Sequence, residues 1–310
     1  MGKATREAYG NALARIGKEN TNIIVLDADL SKSTKTDTFK AVCPERFFNV
    51  GIAEQNLISV GAGLAAAGKI PFVSSFSMFA TGRAFEQIRN AVCYPKLNVK
   101  VCATHAGITV GEDGATHQSL EDISCMRTLP NMTVVVPADE RETVAVIEWA
   151  ASYNGPVYVR LGRAGVDDVT TEGYSFVPGK STILVDGSDA TIIACGALVG
   201  PAVEASKTLS ESNISARVIN MASIKPIDAE AIIKAAAETG AIVTAEEHNI
   251  IGGLGSAVSE VVVSNKPVPM EFVGVQDTFG ESGTPKELMA KYGLTANDIV
   301  AAVKRVIARK

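Results

Sequence analysis

Short apolar runs alternate with segments of helical period along almost the whole chain, and this alternation restricts the fold more than any other feature. Ile23–Leu26, Phe72–Ser75, Val99–Ala103, Thr133–Val136 and Val157–Leu161 are short and apolar, which predicts buried strands. Between them, Thr5–Ile16, Glu54–Ala67, Phe79–Val92, Gln118–Arg127 and Asp139–Ala151 carry apolar residues at i, i+3 and i+4, which predicts helices. Strands alternating with helices imply an α/β unit with a parallel sheet. The pattern lapses into Gly, Thr, Asp and Pro from Gly162 to Lys180, then resumes with strands at Ala190–Ala194, Ala216–Ile219, Ile242–Ala245 and Met270–Val273. We therefore expect two doubly wound domains, 1–165 and 183–310, joined by a linker over 166–182. In such sheets ligands sit at the carboxyl ends of the strands.

Composition narrows the function classes. With 46% hydrophobic and 20% charged residues, 310 residues can bury one large core or two ordinary ones. A net charge of -5, with no Lys/Arg run interleaved with aromatics, argues against nucleic acid as a partner. The 5 cysteines show no C-x-x-C spacing, so neither a disulfide frame nor a zinc knuckle is expected. Met1 is followed by a polar segment, and the stretch Asn56–Gly68 is too short and Gly-rich to span a bilayer. A cytoplasmic protein without membrane contact is expected.

The segment His105–Asp122, HAGITVGEDGATHQSLED, concentrates the chemistry: it holds two of the chain's 3 histidines, with Glu112 and Asp113 between them. It leaves the strand ending at Ala103 and enters a helix whose cap would be Thr116, or Ser119 with Asp122 three residues on. His117 would then stand at a helix N-terminus, whose partial positive charge keeps an imidazole neutral and able to accept a proton. Either histidine taken alone is more often a hydrogen-bonded structural residue. Metal ligation is disfavoured, because no H-x-x-x-H or nearby cysteine cluster accompanies them.

Two further stretches stand out. Glu54 opens a helix whose remaining face is nearly all apolar and small; it either complements the helix dipole or, if turned inward, shares a proton. Phe76 and Phe79 follow a strand, where aromatics are either core or a platform for a heteroaromatic ring. His248, in AEEHNIIGGLGSAV, sits beside a Gly-rich segment that resembles a phosphate loop; a lone GGxG is weak evidence for one, and we read the segment as packing.

Ile52–Glu54, the SF…F turn at Ser75–Phe79, the RAFEQIR run at Arg83–Arg89, the string T-H-x-G-x-x-x-G-E-D-G-x-T-H-Q at Thr104–Gln118 and the L-P-N-x-x-V-x-x-P-A-D of Leu129–Asp139 closely resemble transketolase. The resemblance spans the chain. It implies a thiamine diphosphate pyrimidine-binding domain with a mostly parallel sheet, followed by a smaller transketolase C-terminal α/β domain. It also implies that Glu54 hydrogen-bonds the cofactor's aminopyrimidine and favours the tautomer that takes the proton from the thiazolium carbon. Phe79 would stack on the pyrimidine with Phe76 beside it, and Asp29 would be the acid near the thiazolium. His117 would serve in proton transfer at the substrate. Arg6, Ser33, His105 and Arg163 would hold the sugar phosphate, and Asp113 would read a sugar hydroxyl.

The family binds the diphosphate and magnesium with a G-D-G motif and a later Asn. This chain contains no Gly-Asp pair. Beginning at Met1 where the missing domain would end, it is expected to be the C-terminal subunit of a split transketolase. That enzyme would transfer a two-carbon ketol unit between sugar phosphates in pentose phosphate metabolism. The partner would be an N-terminal subunit carrying the diphosphate and Mg2+ domain, in an α2β2 heterotetramer. A 1-deoxyxylulose 5-phosphate synthase-like half, a 2-oxo acid dehydrogenase β subunit and a non-catalytic regulatory subunit are the alternatives.

Overall fold

The computed structural model describes residues 2–310; Met1, from which the first domain is counted, lies outside them. Its strands are β1 (Ile23–Asp27), β2 (Phe47–Asn49), β3 (Ile70–Ser74), β4 (Lys100–Ala103), β5 (Thr133–Val135) and β6 (Val157–Arg160) in the first part of the chain. The second part contributes β7 (Thr182–Val185), β8 (Ala190–Ala194), β9 (Ala216–Asn220), β10 (Ser223–Lys225), β11 (Ile242–Asn249) and β12 (Met270–Val275). They form two mostly parallel sheets, in the orders β10-β5-β6-β4-β3-β1-β2 and β12-β11-β8-β9-β7.

The first sheet is buried on both faces, as a parallel sheet with crossover helices must be. Ile23 and Val25 of β1 pack in one cluster with Tyr9, Leu13 and Phe39, while Ile24 and Leu26 pack in another with Leu57, Ile58 and Ile88. That second cluster continues through Val134 and Val136 to Ile193, Met221 and Leu254, so the two sheets share a core. Where a helix must start cleanly, its cap is chemical. Asp139 accepts from the amide of Glu142 to open Glu140–Ser152, and Thr284 with Glu287 forms a capping box on Pro285–Lys291.

Several expectations need correction. The sequence reading contained no β2, β7 or β10. These are short strands at sheet edges, and β7 and β10 pair antiparallel, so neither sheet is purely parallel. β10 comes from the second half of the chain yet completes the first sheet beside β5. The helix expected over Phe79–Val92 is instead a π-helical turn at Met78–Arg83, one α turn at Phe85–Gln87 and a second π-helical turn at Ile88–Cys93. The helix expected from Gln118 begins at Asp122 and has no side-chain cap. Its first turn is lost because Ser119 is held extended, bridging to Ala106 and accepting from the amide of Gly107 at 2.9 Å. His117 therefore stands in a turn and not at a helix N-terminus.

Among the described residues no helix is long and apolar enough to cross a membrane.

Candidate active site

In the first sheet the chain winds outward from β1 to β2 on one side and from β3 to β4 on the other. The switch point between β1 and β3 is where an open α/β sheet leaves a crevice at the carboxyl ends of its strands. The loops leaving β1, β2, β3, β4 and β6 carry Asp29 and Ser33, Glu54, Phe76 and Phe79, His105 to His117, and Arg163 respectively.

Glu54 begins the helix Glu54–Ala66 and is only 1% exposed. Its two carboxylate oxygens are separately engaged: Ser75 Oγ donates at 3.0 Å and Arg83 Nη1 at 2.6 Å. The Arg83 guanidinium lies over the Phe79 ring, 4.6 Å from its centroid. A buried carboxylate is thus linked through one planar cation to an aromatic face. Such an arrangement suits a flat, N–H-bearing heteroaromatic ring, because Arg83 already makes both contacts that ring would make.

The aromatic turn continues into the loop. Phe76 and Phe79 are nearly parallel, with an interplanar angle of 16°. His105 stacks on Phe76 at 3.8 Å between centroids, and His117 meets Phe79 edge-on at 5.2 Å. Each histidine follows a threonine whose hydroxyl engages its Nδ1, Thr104 for His105 at 2.8 Å and Thr116 for His117 at 2.9 Å. The neighbouring hydroxyl orients the ring and leaves Nε2 as the nitrogen available for other contacts. The loop between them turns sharply at Gly107, Gly111 and Gly114, with φ of 86, 82 and 74.

Around His105 the charges are of one sign. Burial, and then Arg6, Arg163, His117 and Lys35, push its pKa down to about 3. It is a neutral imidazole at ordinary pH, so any charge offered to an anion comes from Arg6 and Arg163. Arg6 Nη1 donates to the carbonyl of Ser33 at 2.8 Å, while its buried Nε has no partner. Arg163 donates to the carbonyl of Val110 and to Glu112 at 2.7 Å.

The His105 shift makes a stability prediction. With the folded value depressed below the ordinary 6.5, its contribution is fully present above that value. It is lost as pH falls toward 3, because the unfolded chain then takes up a proton that the folded chain refuses. Between pH 7 and pH 5 the chain should lose about 2 kcal/mol that His105→Asn does not lose. Urea unfolding at the two pH values measures this, and parallel declines would refute it.

The structure brings most of the candidate residues together. Glu54, Phe76, Phe79, His105 and His117 form one connected cluster, with Arg6 and Arg163 close enough to depress His105. Ser33 enters through its carbonyl and not its hydroxyl. Asp29 is exposed at φ 64 and hydrogen-bonded to Asn49, and Asp113 is exposed on the loop. Sequence reasoning missed Arg83 and Ser75 as partners of Glu54. It also missed Asp27, whose buried carboxylate takes the hydroxyls of Thr34 and Thr36 and the amide of Leu30 and so fixes the Asp29–Ser33 loop.

His248 is packing, as expected, donating from Nδ1 to the carbonyl of Asn249. The Gly-rich segment beside it is closed to phosphate because the Glu246 carboxylate already takes the amides of Leu254 and Gly255. Among the described residues no group of three or more His, Cys, Asp or Glu side chains is arranged to hold a metal ion.

Comparison with known proteins identifies the family. Residues 1–167 match the family description "Transketolase, pyrimidine binding domain" and residues 179–299 match "Transketolase, C-terminal domain". A "Putative transketolase C-terminal section" of Methanocaldococcus jannaschii is 53% identical over 97% of this chain and 95% of its own length. The 6-deoxy-6-sulfo-D-fructose transketolase subunit of Clostridium sp. is 43% identical over 98% of this chain and 95% of its own length. A solved structure described as "Split gene transketolase, inactive beta4 tetramer" covers 100% of both chains with 58% identity and a TM-score of 0.94. The chain belongs to the transketolase family, as the half that carries the pyrimidine-binding and C-terminal domains.

Proposed function

We propose that this chain is the C-terminal subunit of a two-chain, thiamine diphosphate-dependent transketolase that moves a two-carbon ketol unit from a ketose phosphate to an aldose phosphate. The observation that carries the reading is the Glu54–Arg83–Phe79 unit beside His105 and His117 at one sheet crevice. The residues present fit the aminopyrimidine: Glu54 offers a buried carboxylate for a ring nitrogen, and Phe79, with Phe76 behind it, offers a stacking face. When bound, the cofactor would supply the nucleophilic carbon that accepts the ketol unit.

The chain's own residues do the rest. With the cofactor bound, Glu54 would hold a proton at the pyrimidine nitrogen, Asp29 would be the acid on the thiazolium side, and His117 would move a proton at the substrate carbonyl or hydroxyl. Arg6, Arg163 and the Ser33 turn hold the phosphate, neutral His105 donates from its ring, and Asp113 reads a sugar hydroxyl. In this reading 1–165 is the pyrimidine-binding domain, 166–182 the linker and 183–310 the C-terminal domain.

A separate subunit would bring the diphosphate and Mg2+ site, in a cytoplasmic α2β2 assembly. A relative described as a transketolase subunit, and a solved neighbour described as a split gene transketolase in an inactive beta4 tetramer, support that division. The test is capture of this chain from its native extract, mass spectrometry of what accompanies it, and an assay for ketol transfer with thiamine diphosphate and magnesium. A companion bearing a G-D-G motif together with transfer is the expected result. No companion and no transfer would sink the reading, and pyruvate consumption with carbon dioxide release would replace it with a deoxyxylulose phosphate synthase.

A further inference from the structure

Two glutamates follow one another at the end of β11, and successive side chains on a strand point to opposite faces. Glu246 serves its own domain, taking the amides that open the helix Leu254–Asn265. Glu247 faces the other way, is 3% exposed, and accepts from the backbone amide of Thr109 at 2.6 Å across 138 residues of chain. A Cβ added to Gly107 would lie 2.3 Å from that carboxylate, so the loop can pass over Glu247 only with glycine there. His105 lies two residues earlier, in the left-handed region at φ 57, a conformation that neighbouring structure must hold.

The remaining ties from the second sheet's side reach the far end of the loop. Gln118 Nε2 donates to the carbonyl of Glu281 at 2.9 Å, and Ser282 Oγ to that of Glu112 at 2.7 Å. Near Thr109 there is instead a cavity of about 500 Å³ between the sheets, lined by Thr109, Glu247, Gly162, Pro285 and Met289 among others. The neighbouring Ile108 packs into the second domain's core cluster, so the amide–carboxylate bond is the polar tie at this end of the loop and works beside that apolar contact. Glu247 itself is fixed, because Arg160 Nη2 donates to its carbonyl at 2.9 Å.

We propose that Glu247 is a positioning residue for the active-site loop: its carboxylate clamps the Gly107–Thr109 turn and thereby sets the orientation of His105. The C-terminal half of the chain thus holds the catalytic loop in shape without touching the reacting atoms. The link to turnover rests on the functional reading above; the clamp itself does not.

Hydrogen exchange on the full chain tests the clamp directly. Glu247→Ala should speed exchange of the amides from 107 to 118 by at least about tenfold, while the β1 amides stay as they are. Glu247→Gln, which keeps an acceptor oxygen, should restore most of the protection. By NMR, the His105 midpoint should rise from about 3 by at least about one unit in Glu247→Ala and little in Glu247→Gln. In the reconstituted two-subunit enzyme, kcat/KM should fall in the alanine variant and recover in the glutamine variant.

A folded Glu247→Ala chain with unchanged loop exchange and an unchanged His105 midpoint would overturn the proposal. Should that variant fail to fold, Gly107→Ala strains the same contact from the loop side and must produce the same exchange signature; unaltered exchange there overturns it equally. Absence of ketol transfer in every reconstituted preparation would count against the functional reading alone, since exchange and titration are read from this chain by itself.

Discussion

Glu54→Gln lowers the turnover of the reconstituted two-subunit enzyme by roughly 10²–10⁴-fold, the range expected when an acid–base group is lost. The size follows from where Glu54 sits. At 1% exposure it is shielded from bulk solvent, and among the described residues its side-chain partners are Ser75 Oγ and the Arg83 guanidinium. Glutamine has the same shape and still accepts from Ser75, but an amide cannot hold or share a proton at a ring nitrogen. The fold should hardly notice: the substitution also removes a buried charge, so the urea midpoint should move by no more than about 1 kcal/mol equivalent. Arg83→Ala is the informative control, because it leaves Glu54 buried without its cation. Unchanged turnover in Glu54→Gln, with assembly intact, would remove Glu54 from the mechanism.

Much of this site was legible because the residues that carry it lie in short strings. The glycines at 107, 111 and 114 and the paired Thr-His units stand within one loop, so the string draws attention locally, while the roles expected of its residues came from the resemblance to transketolase. The central strands were legible for a related reason: β1, β4, β6, β8 and β9 are buried along their whole length and mostly apolar, with single polar residues such as Lys100, Arg160 and Arg217 interrupting the run. Edge strands leave no such run. β10, Ser223–Lys225, is three residues long, and its pairing with β5 is a tertiary event that no local pattern announces.

The start of the helix at Asp122 was misplaced for a comparable reason. Ser119 has the composition of a cap, yet it is recruited to close the neck of the loop against Ala106 and Gly107. Its hydroxyl is left buried with no partner. Partners distant in sequence were the hardest to see. Arg83 reaches Glu54 across 29 residues and Glu247 reaches Thr109 across 138, and only the folded chain makes them neighbours.

The largest stability effect should come from the pair that joins the loop's root to both sheets. Asp122 and Arg160 are both buried and form two bonds, Nε to Oδ2 at 2.7 Å and Nη2 to Oδ1 at 3.1 Å. Burial pushes the Asp122 pKa up, but the charge and hydrogen bonds of Arg160 outweigh it and hold the carboxyl below its ordinary value. Tyr158 adds a further donor at 2.6 Å, and its hydroxyl also meets Ser77 in the aromatic turn. Arg160→Met would strand the carboxylate, and Asp122→Asn would strand the guanidinium. Each should cost about 3–5 kcal/mol in urea unfolding, because an unpaired buried charge costs far more than a pair gains. The double variant Asp122→Asn/Arg160→Met should lose clearly less than the sum of the singles, since no charge is then left uncompensated. Because the folded Asp122 pKa is depressed, its contribution is present above the unfolded value and fades as pH falls, so the single-variant penalty of Arg160→Met should shrink in acid. Additive singles, or a penalty independent of pH, would show that the pair is held by packing and not by its charges.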